Sequence, residues 1–289
     1  MLWQGRRQSE NVEDRRGISG RGLAVGGGIG TMLIAAVIYL LGGDPSAVLD
    51  QQQQGNVPSE ETQAPNKAND ESGQFAATVL ADTEDIWAQL FSKMNRQYTD
   101  PTLVLFTNST ESGCGFASQA TGPFYCPADS KVYLDVSFFD EMKNRFNAAG
   151  DFAQAYVIAH EVGHHVQHLL GITNKVDAQR GRLSEKEMNK LSVKLELQAD
   201  FLAGVWAHYE QQLQNPKFNA SIIQPGDIEE ALNAANAIGD DRLQKESQGY
   251  VVPDAFTHGT SQQRVYWFKK GYQSGDINDG DTFNDPSLN

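Results

Sequence analysis

The stretch AYVIAHEVGHHVQHLLG, residues 155–171, holds four of the chain's six histidines: His160, His164, His165 and His168. Its apolar residues Ala155, Ile158, Ala159, Val162 and Val166 recur at helical spacing, which predicts a largely buried helix with Asp151 as its N-cap and Gly171 at its end. Uncompensated imidazoles on a buried face are costly, so these need partners. His160 and His164 are four residues apart, which puts both rings on one face about one turn from each other, with Glu161 between them in sequence. His-Glu-x-x-His spacing of this kind lets two imidazoles share one ion. A zinc ion held so needs a third ligand and keeps one position for water, whose proton Glu161 is placed to accept.

One way of supplying the third ligand, His-Glu-x-x-His-x-x-Gly-x-x-His, is excluded, because Gln167 and Leu170 stand where its glycine and last histidine would be. His168 lies two turns from His160 and His165 points to another face, so both read as outer-shell or surface groups. The stretch LELQADFLAG, residues 195–204, offers a carboxylate instead. Glu196 and Asp200 are four apart on a second predicted helix and share a face with Ser192, Ala199, Ala203 and Ala207, small enough for close helix approach. Two acids on such a face need partners. Glu196 then completes a metal set with His160 and His164, while Asp200 accepts the other N–H of a ligand histidine and fixes its tautomer.

Outward from these helices the pattern is mixed. A first helix is predicted around Phe75–Met94, buried strands over TLVLFTN (residues 102–108) and KVYLD (131–135), and a short amphipathic helix over SFFDEMKNRF. The Ser-x-x-Glu of SEKE, residues 184–187, is a capping box opening a long helix that runs through Trp206. Further helices begin near Asp227 and after HGTS. The expected class is α+β: a mostly helical domain over residues 73–289 with a small sheet. KVYLD is a candidate edge strand for an extended peptide.

Ahead of the domain, residues 22–43 carry no charge and as a helix reach about 33 Å, enough to span a bilayer. Five arginines (Arg6, Arg7, Arg15, Arg16 and Arg21) precede this stretch, and only Lys67 follows it through Ser72. The positive-inside rule then predicts a single-pass membrane protein with its N-terminus in the cytoplasm. Residues 1–21 would be cytoplasmic, residues 44–72 a polar flexible linker, and the domain extracytoplasmic. In that setting Cys114 and Cys126 are expected to form a disulfide. A formal net charge of −14 and a pI near 4.8 argue against nucleic acid as a partner.

His-Glu-x-x-His followed by Glu-x-x-x-Asp on a later helix resembles the gluzincin class of zinc peptidases. WQGRRQSENVEDRRG, GPFYCPADSKVYLD, AHEVGHHVQHLLG, LELQADFLAGVWA and HGTSQQRVYWFKKGY together resemble the bacterial neutral zinc metallopeptidase family along nearly the whole chain. The resemblance implies a zincin-like fold, Zn2+ on His160, His164 and Glu196, Glu161 as catalytic base, and a peptide or protein substrate. It also implies a second-sphere oxyanion group, for which His258 is the candidate, while Arg264 is expected in a structural ion pair with Asp240 and Asp241. Two other readings stay open beside the membrane-anchored peptidase. One is a non-catalytic, zinc-stabilised extracytoplasmic binding module; the other is a hydrolase of some other amide.

Overall fold

A computed structural model describes residues 1–17, 70–118, 121–146 and 148–288. The predicted span, residues 22–43, and nearly all of the linker predicted over 44–72 lie outside the described residues. Among the described residues, no helix is long and apolar enough to cross a membrane. In chain order the elements are β1 (Val12–Asp14), α1 (Glu71–Lys93), β2 (Thr102–Phe106), β3 (Ser109–Ser112), β4 (Gly115–Ser118), β5 (Phe124–Cys126) and β6 (Lys131–Asp135). There follow α2 (Phe138–Asn144), α3 (Asp151–Leu169), α4 (Ile172–Asp177), α5 (Glu185–Glu210), β7 (Gln214–Asn215), β8 (Ala220–Ser221), α6 (Asp227–Ala237), α7 (Asp240–Gln248) and α8 (Ser261–Ser274). The fold is mixed and mostly helical with small sheets, as the sequence predicts.

Local chemistry sets the helix ends. The Asp70 carboxylate accepts from Gly73 N–H at 2.8 Å and starts α1, so Glu71 and Ser72 belong to the helix and not to a linker. Ser184 and Glu187 close the predicted capping box on α5, which runs on to Glu210, and Thr260 and Gln263 close a second one on α8. For α3 the cap position falls on Gly150, not Asp151, and Glu230 of α6 accepts from Phe152 N–H at 3.0 Å. A carboxylate borrowed from another helix replaces the local one.

The main sheet has the order β1–β2–β6–β5, with β2 parallel to both neighbours and β5 antiparallel at one edge. Strand side chains alternate between two faces. Leu103, Leu105, Val132 and Leu134 join the helices in the large core, whereas Val104, Phe106, Tyr133 and Cys126 form a smaller cluster on the other face. KVYLD is therefore an interior strand, and the edge is FYC, residues 124–126. The Cys114–Cys126 disulfide is formed and ties the turn of the β3–β4 hairpin to that edge.

Residues 1–14 form one compact unit with the described residues from 70 onward. Trp3 is buried edge-on against Phe75, ring centroids 5.6 Å apart, and β1 pairs along β2 from Val12 to Asp14. Arg6 reaches Asp82 at 2.6 Å and Glu210 at 2.9 Å, and Arg7 reaches Glu84 at 3.0 Å. Residues 1–14 of the predicted N-terminal segment thus pack within the same unit as the domain. Two of the arginines read as a topology signal are counter-ions for acids of this domain.

Candidate metal centre

The site is built where α3 crosses α5. Gly163 sits on α3 between the two histidines, and a methyl group there would come within 3.0 Å of the Ala199 carbonyl oxygen. Glycine permits that approach, which brings Glu196 and Asp200 of α5 against His160 and His164 of α3. At the next crossing, Gly204 of α5 and Gly271 of α8 face each other's helix backbone with no room for a Cβ, and this brings in Arg264.

His160 Nε2 lies 3.1 Å from Glu196 Oε2 and His164 Nε2 lies 3.4 Å from Glu196 Oε1. One ligand atom from each of His160, His164 and Glu196 falls within 4.8 Å of the others, so the three could hold a single ion. The outer nitrogens are also engaged. His160 Nδ1 donates to Asp200 Oδ1 at 2.9 Å, and His164 Nδ1 donates to Gln167 Oε1 at 2.9 Å. Both Nε2 atoms are thereby turned toward Glu196. Two imidazoles and one carboxylate, with the tautomers fixed from behind, suit zinc in a catalytic, three-ligand arrangement.

Asp200 is the hub behind His160. It accepts from Tyr156 Oη at 2.5 Å and, at its two oxygens, from Arg264 Nε at 2.8 Å and Nη2 at 2.9 Å. Arg264 thus pairs with Asp200 and not, as the sequence suggested, with Asp240 and Asp241. Burial works to raise the Asp200 pKa, but Arg264 and then His160 outweigh it and hold it at about 2. Burial likewise works to lower the His160 pKa, and Asp200 followed by Glu196 overcomes it, bringing it up to about 10. Substituting Asp200→Asn is expected to weaken zinc binding by about 10–100-fold, with Arg264→Gln moving the same way because it leaves the buried Asp200 carboxylate without its cation. Titration against a chromophoric chelator measures both, and unchanged affinity in both variants would remove Asp200 from the role assigned to it.

Glu161 is buried at 8% exposure, lines the same cleft as the ligands, and has no hydrogen-bond or ion-pair partner among the described residues. The cleft measures about 980 Å³ and is walled by Phe124 and Tyr125 of β5, with Phe138 and Phe146 among its apolar lining. His258 also lines it. Its loop is held by Asp240, one oxygen of which accepts from the N–H groups of Thr257 at 2.7 Å, His258 at 2.6 Å and Gly259 at 3.1 Å. The other oxygen lies 3.3 Å from His258 Nδ1. Burial lowers the His258 pKa, but Asp240 and Glu196 leave it raised overall.

His165 and His168 stay outside the metal set. His165 is no surface group: it is fully buried, accepts from Tyr125 Oη at 3.0 Å, and donates to the Thr99 carbonyl at 2.6 Å. Burial pushes its pKa down to about 4. Sequence reasoning missed Gln167, Tyr156 and Asp240. Gln167 was within reach of it, since position i+3 from His164 shares its face. Asp240 was named only as a partner for Arg264, and nothing local marks it as the anchor of the His258 loop.

Comparison with known proteins agrees with this geometry. The chain is 50% identical over 293 residues to "Uncharacterized protein YpfJ" of Escherichia coli strain K12, covering 98% of this chain and 99% of that one. It is 39% identical over 259 residues to "Uncharacterized protein Mb2605" of Mycobacterium bovis, covering 86% of each. No solved structure matches. A family model described as "Putative neutral zinc metallopeptidase" matches residues 1–283, a range that takes in both the docked N-terminal residues and every member of the metal set, and the chain belongs to that family.

Proposed function

We propose that the protein is a zinc-dependent endopeptidase that cleaves peptides or unfolded proteins. The observation that carries this is Glu161: a carboxylate beside three metal-binding side chains, without a partner of its own, at the wall of an open cleft. A metal serving only to stabilise a binding module has no use for a free base there. Zinc at the site would polarise the scissile carbonyl and lower the pKa of the attacking water toward ~7.

The side chains divide the remaining work. Glu161 takes the proton from the attacking water and returns it to the leaving amine. His258, steadied by Asp240, donates to the oxygen on which negative charge develops. Asp200 and Gln167 keep the two ligand imidazoles in their metal-binding tautomer. The free edge of β5 offers main-chain hydrogen bonds to an extended substrate. The disulfide supports a site of action in an oxidising compartment, outside the cytoplasm. If the uncharged stretch 22–43 attaches the protein to a bilayer, the chain returns to the side it left, because residues 1–14 and 70–288 share one fold.

The test uses the full chain with an unfolded protein and a mixed peptide library. Cleavage is expected, with loss on stripping by a chelator and recovery on adding one equivalent of zinc. Cleavage that persists in metal-free protein would sink the proposal.

A further inference from the structure

β5 is a three-residue edge strand, paired on one side only among the described residues. So short a strand, held by a single ladder, would be expected to fray. Here each of its side chains is held by a different element. Phe124 stacks on Tyr133 of β6, centroids 4.8 Å apart and planes within 6°. Tyr125 turns the opposite way and donates its hydroxyl to the buried His165 of α3 at 3.0 Å. Cys126 is bonded to Cys114 at the β3–β4 turn. Just past the strand, Asp129 accepts from Gly113 N–H in that turn at 2.7 Å and from Tyr133 Oη at 2.7 Å.

The strand is therefore clamped from both faces of the sheet, and the metal-binding side chains lie on neither β5 nor the hairpin that clamps it. The two halves of the disulfide differ in access: Cys126 is fully buried, whereas Cys114 is exposed at the turn. We infer that the Cys114–Cys126 disulfide and the Tyr125–His165 bond fix β5 as a rigid rail for extended peptides, and that reduction of the disulfide weakens peptide engagement while the metal stays bound. This rests on the peptidase reading above. The reductant is a dithiol: its thiolate attacks the exposed Cys114 sulfur, Cys126 leaves as thiolate and takes a proton, and the second thiol then releases Cys114 as a thiol. Two electrons and two protons pass to the protein, and the dithiol departs as its own disulfide.

Tyr125, His165 and Cys126 are thus positioning residues, acting through the strand's backbone. The test compares four forms of the full chain: native, reduced with a water-soluble phosphine that does not bind zinc, Cys114→Ala with Cys126→Ala, and Tyr125→Phe. All four are expected to retain one zinc per chain. Amide exchange at residues 124–126 should quicken in the last three and KM for a ten-residue peptide should rise about tenfold in each, while in the reduced native chain turnover of a blocked dipeptide holds, the mark of lost binding away from the reacting bond. Unchanged exchange and unchanged KM after reduction would overturn the inference, as would loss of zinc in parallel with loss of activity. Should the native chain cleave no peptide, the peptidase reading fails by itself, and exchange at 124–126 still upholds or overturns the clamp.

Discussion

Replacing Glu161 with glutamine is expected to lower kcat by about 10²–10⁴-fold, the usual worth of a general base, with metal content unchanged. The substitution keeps shape and removes only the basic oxygen. His160, His164 and Glu196 keep their places because their supports, Asp200, Gln167 and the Gly163–Ala199 crossing, do not involve Glu161. Zinc content and kcat measured on the same preparation separate the two roles open to this residue. Wild-type turnover in Glu161→Gln would exclude it as the base and leave the cleft without an evident proton acceptor. A variant that loses both zinc and activity would mean that Glu161 holds the metal, and the three-residue ligand set would be wrong.

Arg6→Ala is expected to cost about 3–5 kcal/mol of stability, as for other buried ion pairs deprived of one partner. Arg6 lies between Asp82 and Glu210, whose side chains are 5% and 0% exposed. One cation serves two acids. Burial followed by the Glu210 charge pushes the Asp82 carboxyl well up, and burial outweighs Arg6 in raising Glu210. Without the guanidinium both acids would be left buried without a cation. Adding Asp82→Asn to the Arg6→Ala variant should recover part of the loss, because the amide needs no counter-ion. Denaturant unfolding of the single and double variants checks this. If Arg6→Ala unfolds at the wild-type midpoint, the Arg6 pairs with Asp82 and Glu210 contribute nothing to stability.

The metal set was legible because each helix states it locally. His160 with His164, and Glu196 with Asp200, are spaced for one face, and flanking apolar or small residues say which way that face turns. What completes the site was not legible, since it depends on separations that no local pattern records. Arg264 meets Asp200 across 64 residues, and Tyr156 meets it across 44. β5 escaped notice because three residues are too few to show alternation, and the more regular KVYLD took its place as the expected edge. The acid partners of Arg6 and Arg7 were not legible for a different reason. Cationic residues ahead of an apolar stretch look the same in sequence whether they face a membrane or neutralise buried carboxylates.

The docked N-terminal residues have a consequence for the order in which the chain folds. They are made first, yet Arg6 finds one of its two carboxylates 204 positions later, at the end of α5. Trp3 and β1 wait for α1 and β2. During synthesis Arg6 has Asp82 alone to pair with until α5 is made, and its bond to Glu210 then closes a loop of 204 residues. A folding helper that acts on this protein should meet an unpaired first strand and a bare tryptophan until α1 and β2 are in place.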